Sequence, residues 1–150
     1  MDFRIMHSGM QVDVFAYTVD FLSENPEVEV HIGCDSQNYQ NHTVYVTALV
    51  FRFPGQGGHV LYHKEKVKRI PDLWTKLWGE LERSIALAES LDKYCGVRVN
   101  KIDLDFNSDP AYPSNRLLSA ATGYIQSLGY QAQAKPSMLI AAWAANVLCH

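Results

Sequence analysis

The chain has 150 residues, 47% of them hydrophobic and 19% charged, with a formal net charge of −3. That length suits one domain, and the composition excludes disordered, collagen-like and coiled-coil chains. The charge excludes a general nucleic-acid coat protein, so any nucleic-acid contact has to come from a local basic patch. The longest apolar stretch, Met138 to Cys149, contains Asn146 and falls well short of the roughly 20 residues that a membrane span needs. The N-terminus has no basic-then-apolar signal pattern, and Cys34, Cys95 and Cys149 are too widely spaced for a disulfide framework. Both features point to a cytoplasmic protein with reduced thiols.

Taken in chain order, Val12, Phe15, Val19 and Leu22 have helical spacing, stopped by Ser23-Glu24-Asn25-Pro26. Val28, Val30, Ile32 and Cys34 alternate with polar residues or glycine, which predicts a first strand ending at Asp35. Thr43 to Phe53 and His59 to Arg69 read as the second and third strands, joined by a Pro54–Gly58 turn. Short connections make these three an antiparallel meander. From Leu73 to Leu91 the apolar residues return to helical spacing, with Pro71 at the start. A fourth strand (Val97 to Phe106), a helix (Asn115 to Leu128), a fifth strand (Tyr130 to Ala134) and a final helix (Ser137 to Leu148, opened by Pro136) complete the chain. Meander first and alternation afterwards predict a mixed α/β sheet covered on both faces.

Asp35 and Asp105 each end a predicted strand, and either alone reads as a turn residue. Together they say more. If the first and fourth strands are parallel neighbours, their ends lie about 4.8 Å apart, and two carboxylates there repel unless a cation sits between them. In open α/β sheets that edge is also where ligands bind. On a helical wheel of about 100° per residue, Leu73 and Leu91 fall about 20° to one side of Glu80 and Leu87 about 20° to the other. Glu80 thus sits inside the apolar arc, where a carboxylate is costly unless it is paired or bound to metal. The alternative is that it flanks the stripe and reaches water.

These residues carry a resemblance. His31 to Gln37 resembles the first-strand motif of the YkuK-like family, within the ribonuclease H-like superfamily. Glu80 with Ser84 and Ala88, Ile102 to Asn107, and Lys135-Pro136-Ser137 with Ala141, Ala142, Ala144 and Ala145 resemble its later motifs, in the same order. The resemblance implies one ribonuclease H-like domain over residues 1–150, with a five-stranded sheet of order 3-2-1-4-5 and helices on both faces. It makes Asp35, Glu80 and Asp105 counterparts of the catalytic, metal-binding carboxylates of two-metal nucleases. The superfamily usually has a fourth acidic residue on the last helix, where this chain reads Ala145-Asn146. An amide ligates through its carbonyl oxygen but brings no charge.

Hard oxygen ligands favour Mg²⁺ or Mn²⁺ over zinc. Two such ions about 3.5–4 Å apart hydrolyse phosphodiesters by activating water and stabilising the leaving oxygen. In that scheme Asp35 bridges, Glu80 and Asp105 hold one ion each, Asn146 is a weak fourth ligand, and Asp103 is held in reserve. Ser36, Gln37, Asn107 and Lys135 are the expected substrate contacts. Lys64, Lys66 and Lys68 share one strand face next to Arg69, reading either as a phosphate track or as protection of an edge strand. Lys135 and Arg116 near the active edge read equally as phosphate contacts or as ordinary surface charges.

Cys149, His150, Cys95 and His7 lack zinc-site spacing, Cys34 reads as a core thiol, and Trp74 and Trp78 read as packing residues. No Walker-type or GxGxxG motif is present, which disfavours actin-like ATPases and a small-molecule-binding α/β protein. The leading expectation is a metal-dependent nuclease acting on RNA, RNA–DNA hybrid or DNA. The alternative is a catalytically weakened or inactive ribonuclease H-like module that binds nucleic acid or a protein partner.

Overall fold

The computed structural model describes residues 2–106, 111, 115–135 and 137–150. Its elements are β1 (Asp2–Ile5), β2 (Gln11–Asp13), α1 (Val14–Glu24), β3 (Glu29–Asn38), β4 (His42–Arg52), β5 (Gly58–Lys68), α2 (Leu73–Cys95), β6 (Lys101–Leu104), α3 (Asn115–Ser127), β7 (Ala132–Ala134) and α4 (Ile140–Cys149). The described strands form one mixed sheet in the order β2-β1-β5-β4-β3-β6-β7.

That corrects the expected sheet of five strands: there are seven, and the overall order differs. The five expected strands stand side by side as β5-β4-β3-β6-β7, and the N-terminus adds a hairpin at the β5 border. β1 pairs with β2 through Phe3↔Val12 and with β5 through Ile5↔Leu61. Four residues are too few to show a period, and burial decides instead. Phe3 and Ile5 enter the core while Asp2 and Arg4 stay outside. Val12 therefore belongs to a strand, and α1 starts at Val14, where the Asp13 carboxylate accepts from Ala16 N at 2.9 Å.

The meander is antiparallel through β3, β4 and β5, and β6 and β7 join in parallel. β3 continues three residues past Asp35, because β4 goes on pairing as far as Asn38↔Thr43. β6 is shorter than expected. α2 extends to Cys95 and is closed by Gly96 at φ 65°, and an irregular segment precedes Lys101. The last helix begins at Ile140, and Pro136, expected to open it, lies outside the described residues.

α1, α2 and α3 cover one face, where Ile32, Leu49, Phe51 and Leu61 of the sheet meet Leu81, Leu87 and Leu91 of α2 and Ile125 of α3. α4 covers the other, packing Ala141, Ala144, Ala145 and Cys149 on Val44, Val46, Ala48 and Val50. Among the described residues no helix is long and apolar enough to cross a membrane.

α4 lies unusually close to β3. A Cβ at Gly33 would stand 2.5 Å from Ala142 N and 2.7 Å from Ala141 C, both backbone atoms that cannot swing aside. Gly33→Ala is accordingly expected to lower unfolding free energy by about 1–3 kcal/mol or more, as overpacking does. Gly123, inside α3 with open space around it, is the control. Gly123→Ala is expected to raise stability by about 0.5–1 kcal/mol. Urea denaturation of both variants checks the pair, and equal effects would contradict the packing argument.

Candidate metal and nucleic-acid site

Side chains alternate along β3. Ser36 reaches Glu80 on the α2 side, while Gly33 abuts Ala142 and Asp35 meets Asn146 on the α4 side. The parallel register Ile32↔Ile102 assigns Asp103 and Asp105 to the α4 side too. Pairing of β3 with β6 covers His31↔Lys101 and Ile32↔Ile102, so the β6-side edge of β3 from Asp35 onward has no strand against it among the described residues. This gap lies where the neighbour of β3 changes from antiparallel β4 to parallel β6. Crevices at such switch points are the usual ligand sites of α/β sheets.

Glu80 arrives from the opposite layer. It is 5% exposed, as its place in the apolar arc of α2 requires, and it accepts a hydrogen bond from the Ser36 hydroxyl. Burial pushes its carboxyl up to about 8, helped by the charge of Asp35 and then Asp105 and opposed by Ser36 and the Lys76 ammonium. Lys76 itself donates to Ser36 O at 3.2 Å.

Asp35 is half-buried and accepts from Asn146 Nδ2 at 2.7 Å. Asp105 is the outermost of the three, with Oδ1 3.0 Å from Lys135 Nζ. Asp105, Lys135, Ser137, Trp143 and Asn146 line a hollow of about 270 Å³. Ser36, expected to contact substrate, is buried with its hydroxyl committed to Glu80, so it positions a carboxylate instead. Gln37 is half-buried on the Asp35 face of β3, and Asn107 lies outside the described residues.

Asp103, the reserve ligand, has another task. Its Oδ2 accepts from Ala141 N at 2.9 Å and Ala142 N at 3.2 Å, capping α4 where the local residue Leu139 supplies no acceptor. Burial pushes its carboxyl up to about 6 against those two bonds, and Oδ1 has no partner among the described residues. Sequence reasoning missed Lys76 and Trp143. Both were within reach of a helical wheel: Lys76 is four residues before Glu80, and Trp143 is three before Asn146.

The donor set fits a hard divalent cation. Asp35, Glu80 and Asp105 offer only oxygen, and the Lys76 ammonium only partly offsets the negative charge around the buried Glu80. The set is not closed around one point: among the described residues no three His, Cys, Asp or Glu side chains are grouped to hold an ion.

The buried carboxyls set a pH dependence. Between the ordinary 4.5 and about 8 of Glu80, the folded chain keeps a proton that the unfolded chain releases. Unfolding free energy is therefore expected to fall as pH rises through that window, by up to about 1.4 kcal/mol per pH unit. Asp103 adds the same sign between 3.8 and about 6. In metal-free buffer, denaturation across this range is expected to show the decline and Glu80→Gln to flatten its upper part. Burial of neutral His31 and His59 adds the opposite trend below pH 6.5. Between pH 6.5 and about 8, stability of the parent rising with pH would contradict the decline.

The sequence matches the family described as Ribonuclease H-like over residues 13–149. Neither the curated proteins nor the solved structures give a match. The YkuK-like motifs are consistent with that family, and the mixed sheet with helices on both faces is consistent with its fold. The chain therefore belongs to the ribonuclease H-like family.

Proposed function

We propose that the chain is a divalent-metal-dependent nuclease that hydrolyses phosphodiester bonds in RNA, RNA–DNA hybrid or DNA. The observation that carries this reading is Glu80, a buried carboxylate electrostatically coupled to Asp35 and Asp105 beside the gap between β3 and β6. In this reading Asp35, Glu80 and Asp105 hold Mg²⁺ or Mn²⁺, with the Asn146 carbonyl oxygen as a weaker fourth ligand. A bound ion would supply Lewis acidity at the phosphoryl group and a more acidic water.

The chain's own residues supply the rest. The Ser36 hydroxyl orients Glu80, and Lys76 holds the Ser36 backbone oxygen. Asn146 holds Asp35 through its Nδ2, leaving its Oδ1 as an acceptor. Lys135 neutralises Asp105 and stands at the same hollow as a cation for a phosphate oxygen. Lys64, Lys66 and Lys68 are exposed on the α4 side of β5 at the same sheet end, since their partners Val46 and Val44 face α4. β1 covers β5 only at Leu61 and Tyr62, so this row lies open to a phosphate backbone.

A second reading, a binding module with weakened or no catalysis, is favoured by the neutral Asn146 and by the Asp105–Lys135 ion pair. Two measurements separate them. Under the nuclease reading, Mn²⁺ raises the melting temperature, by the equivalent of about 2.7 kcal/mol at 100 times the dissociation constant. Asp35→Asn removes most of that gain and lowers cleavage of labelled RNA, hybrid or DNA by more than the about 10–100-fold typical of outer ligand partners. Asn146→Asp lowers the Mn²⁺ concentration needed for half-maximal cleavage, because a charged oxygen holds a hard cation better. No cleavage by either protein and no Mn²⁺ effect on melting would leave the binding module.

A further inference from the structure

A second hollow, of about 520 Å³, opens on the α2 side of the same sheet end. Its walls include Trp74, Trp78, Tyr45 and Leu117, and its charged groups are Glu82 and Arg83. Trp74, Trp78 and Glu82 recur every four residues and so form one face of α2. The floor is rigid. The Tyr45 hydroxyl donates to Lys76 O at 2.9 Å, and the Arg83 guanidinium lies 3.7 Å over the Tyr45 ring. Arg83 is itself held by Glu65 at 2.8 Å and by Gly79 O at 3.0 Å. Trp78 stacks on Tyr124 at 5.7 Å, with the rings 7° from parallel. Trp74 is half-buried, lies outside the main core cluster and has no ring partner among the described residues.

Flat aromatic walls over a fixed floor suit a flat ring better than an aliphatic side chain. The volume lies within the range of ligand pockets. Glu82 repels a phosphate but accepts N–H donors, which nucleobases carry on their edges. The hollow also adjoins the carboxylates: Gly79 in its lining precedes Glu80, and Tyr45 pairs with Ser36, the neighbour of Asp35. We propose that this hollow receives one unpaired nucleobase of a single-stranded segment, stacked on Trp74. The proposal rests on the nucleic-acid reading above and deepens it, because a base held in a duplex is already stacked and paired and cannot enter.

Binding is measured in EDTA, so that hydrolysis plays no part, by anisotropy of three labelled ligands. They are a mixed-sequence single-stranded oligonucleotide, its blunt-ended duplex, and an abasic sugar–phosphate oligomer of equal length. The single strand is expected to bind about 5- to 150-fold tighter than the abasic oligomer, the worth of one base stacked on an aromatic ring. Trp74→Ala is expected to erase that preference. Thr75→Glu, at an exposed position lining the hollow, adds a negative charge where the strand must enter without removing core packing. It is expected to weaken the single strand and spare the duplex. Melting curves check that both variants fold, and Thr75→Glu decides if Trp74→Ala does not. Equal binding of single strand and abasic oligomer by the parent, or the preference surviving in the folded variants, overturns the proposal while leaving a backbone-binding module intact. Absence of binding by all three ligands overturns this proposal and the metal-free binding module, while the metal-dependent nuclease reading is decided by the cleavage and Mn²⁺ melting measurements above.

Discussion

The contact between α4 and β3 at Gly33, where no Cβ intervenes, is the constraint on which the candidate site depends. Gly33 leaves room for the backbone of Ala141 and Ala142, and Asp103 gives those two amides the acceptor they need. Helix and strand then run side by side. From Ala142 to Asn146 the helix rises about 6 Å, and from Gly33 to Asp35 the strand advances about 6.7 Å. A helix anchored at Gly33 therefore brings Asn146 level with Asp35, where their side chains bond at 2.7 Å. The helix ends on the same strand, with the Cys149 thiol donating to Asp35 O and the Tyr39 hydroxyl to Cys149 O.

Asp103 and Glu80 both have carboxyls raised by burial, yet they serve different ends. Asp103 faces the positive end of a helix and takes two backbone hydrogen bonds, an arrangement complete apart from its bare Oδ1. Glu80 has a single hydroxyl partner and two carboxylates among its causes of shift. The first is a structural cap; the second is a site where positive charge would be stabilising.

The two outer carboxylates are each answered locally, Asp35 by an amide and Asp105 by an ammonium. This spreads the negative charge over both layers of the sheet rather than concentrating it at one point. The same end of the sheet gathers the lysine row of β5 on the α4 side and the aromatic hollow on the α2 side. A basic track, a carboxylate crevice and a stacking surface thus share one rim of a chain whose net charge is −3.

Much of this was legible in the sequence. Periodicity locates the four described helices and five of the strands within a few residues, and a helical wheel alone turns Glu80 inward. The acidic residues at strand ends, with the family motifs, pointed to the end of the sheet where Asp35 and Asp105 lie. What the sequence left open depends on contacts between distant segments. Phe3 and Ile5 form a strand because the border of β5 and the core above it receive them. Asp35 lies inside its strand because β4 continues pairing beyond it. Ser36 turns to Glu80, and Asp103 to the start of α4, because each is the unmet acceptor or donor of another element. Local pattern determined which residues form elements and which faces are apolar. Only tertiary structure decided which buried polar groups meet, because a polar group taken out of water must find its partner wherever the fold brings one.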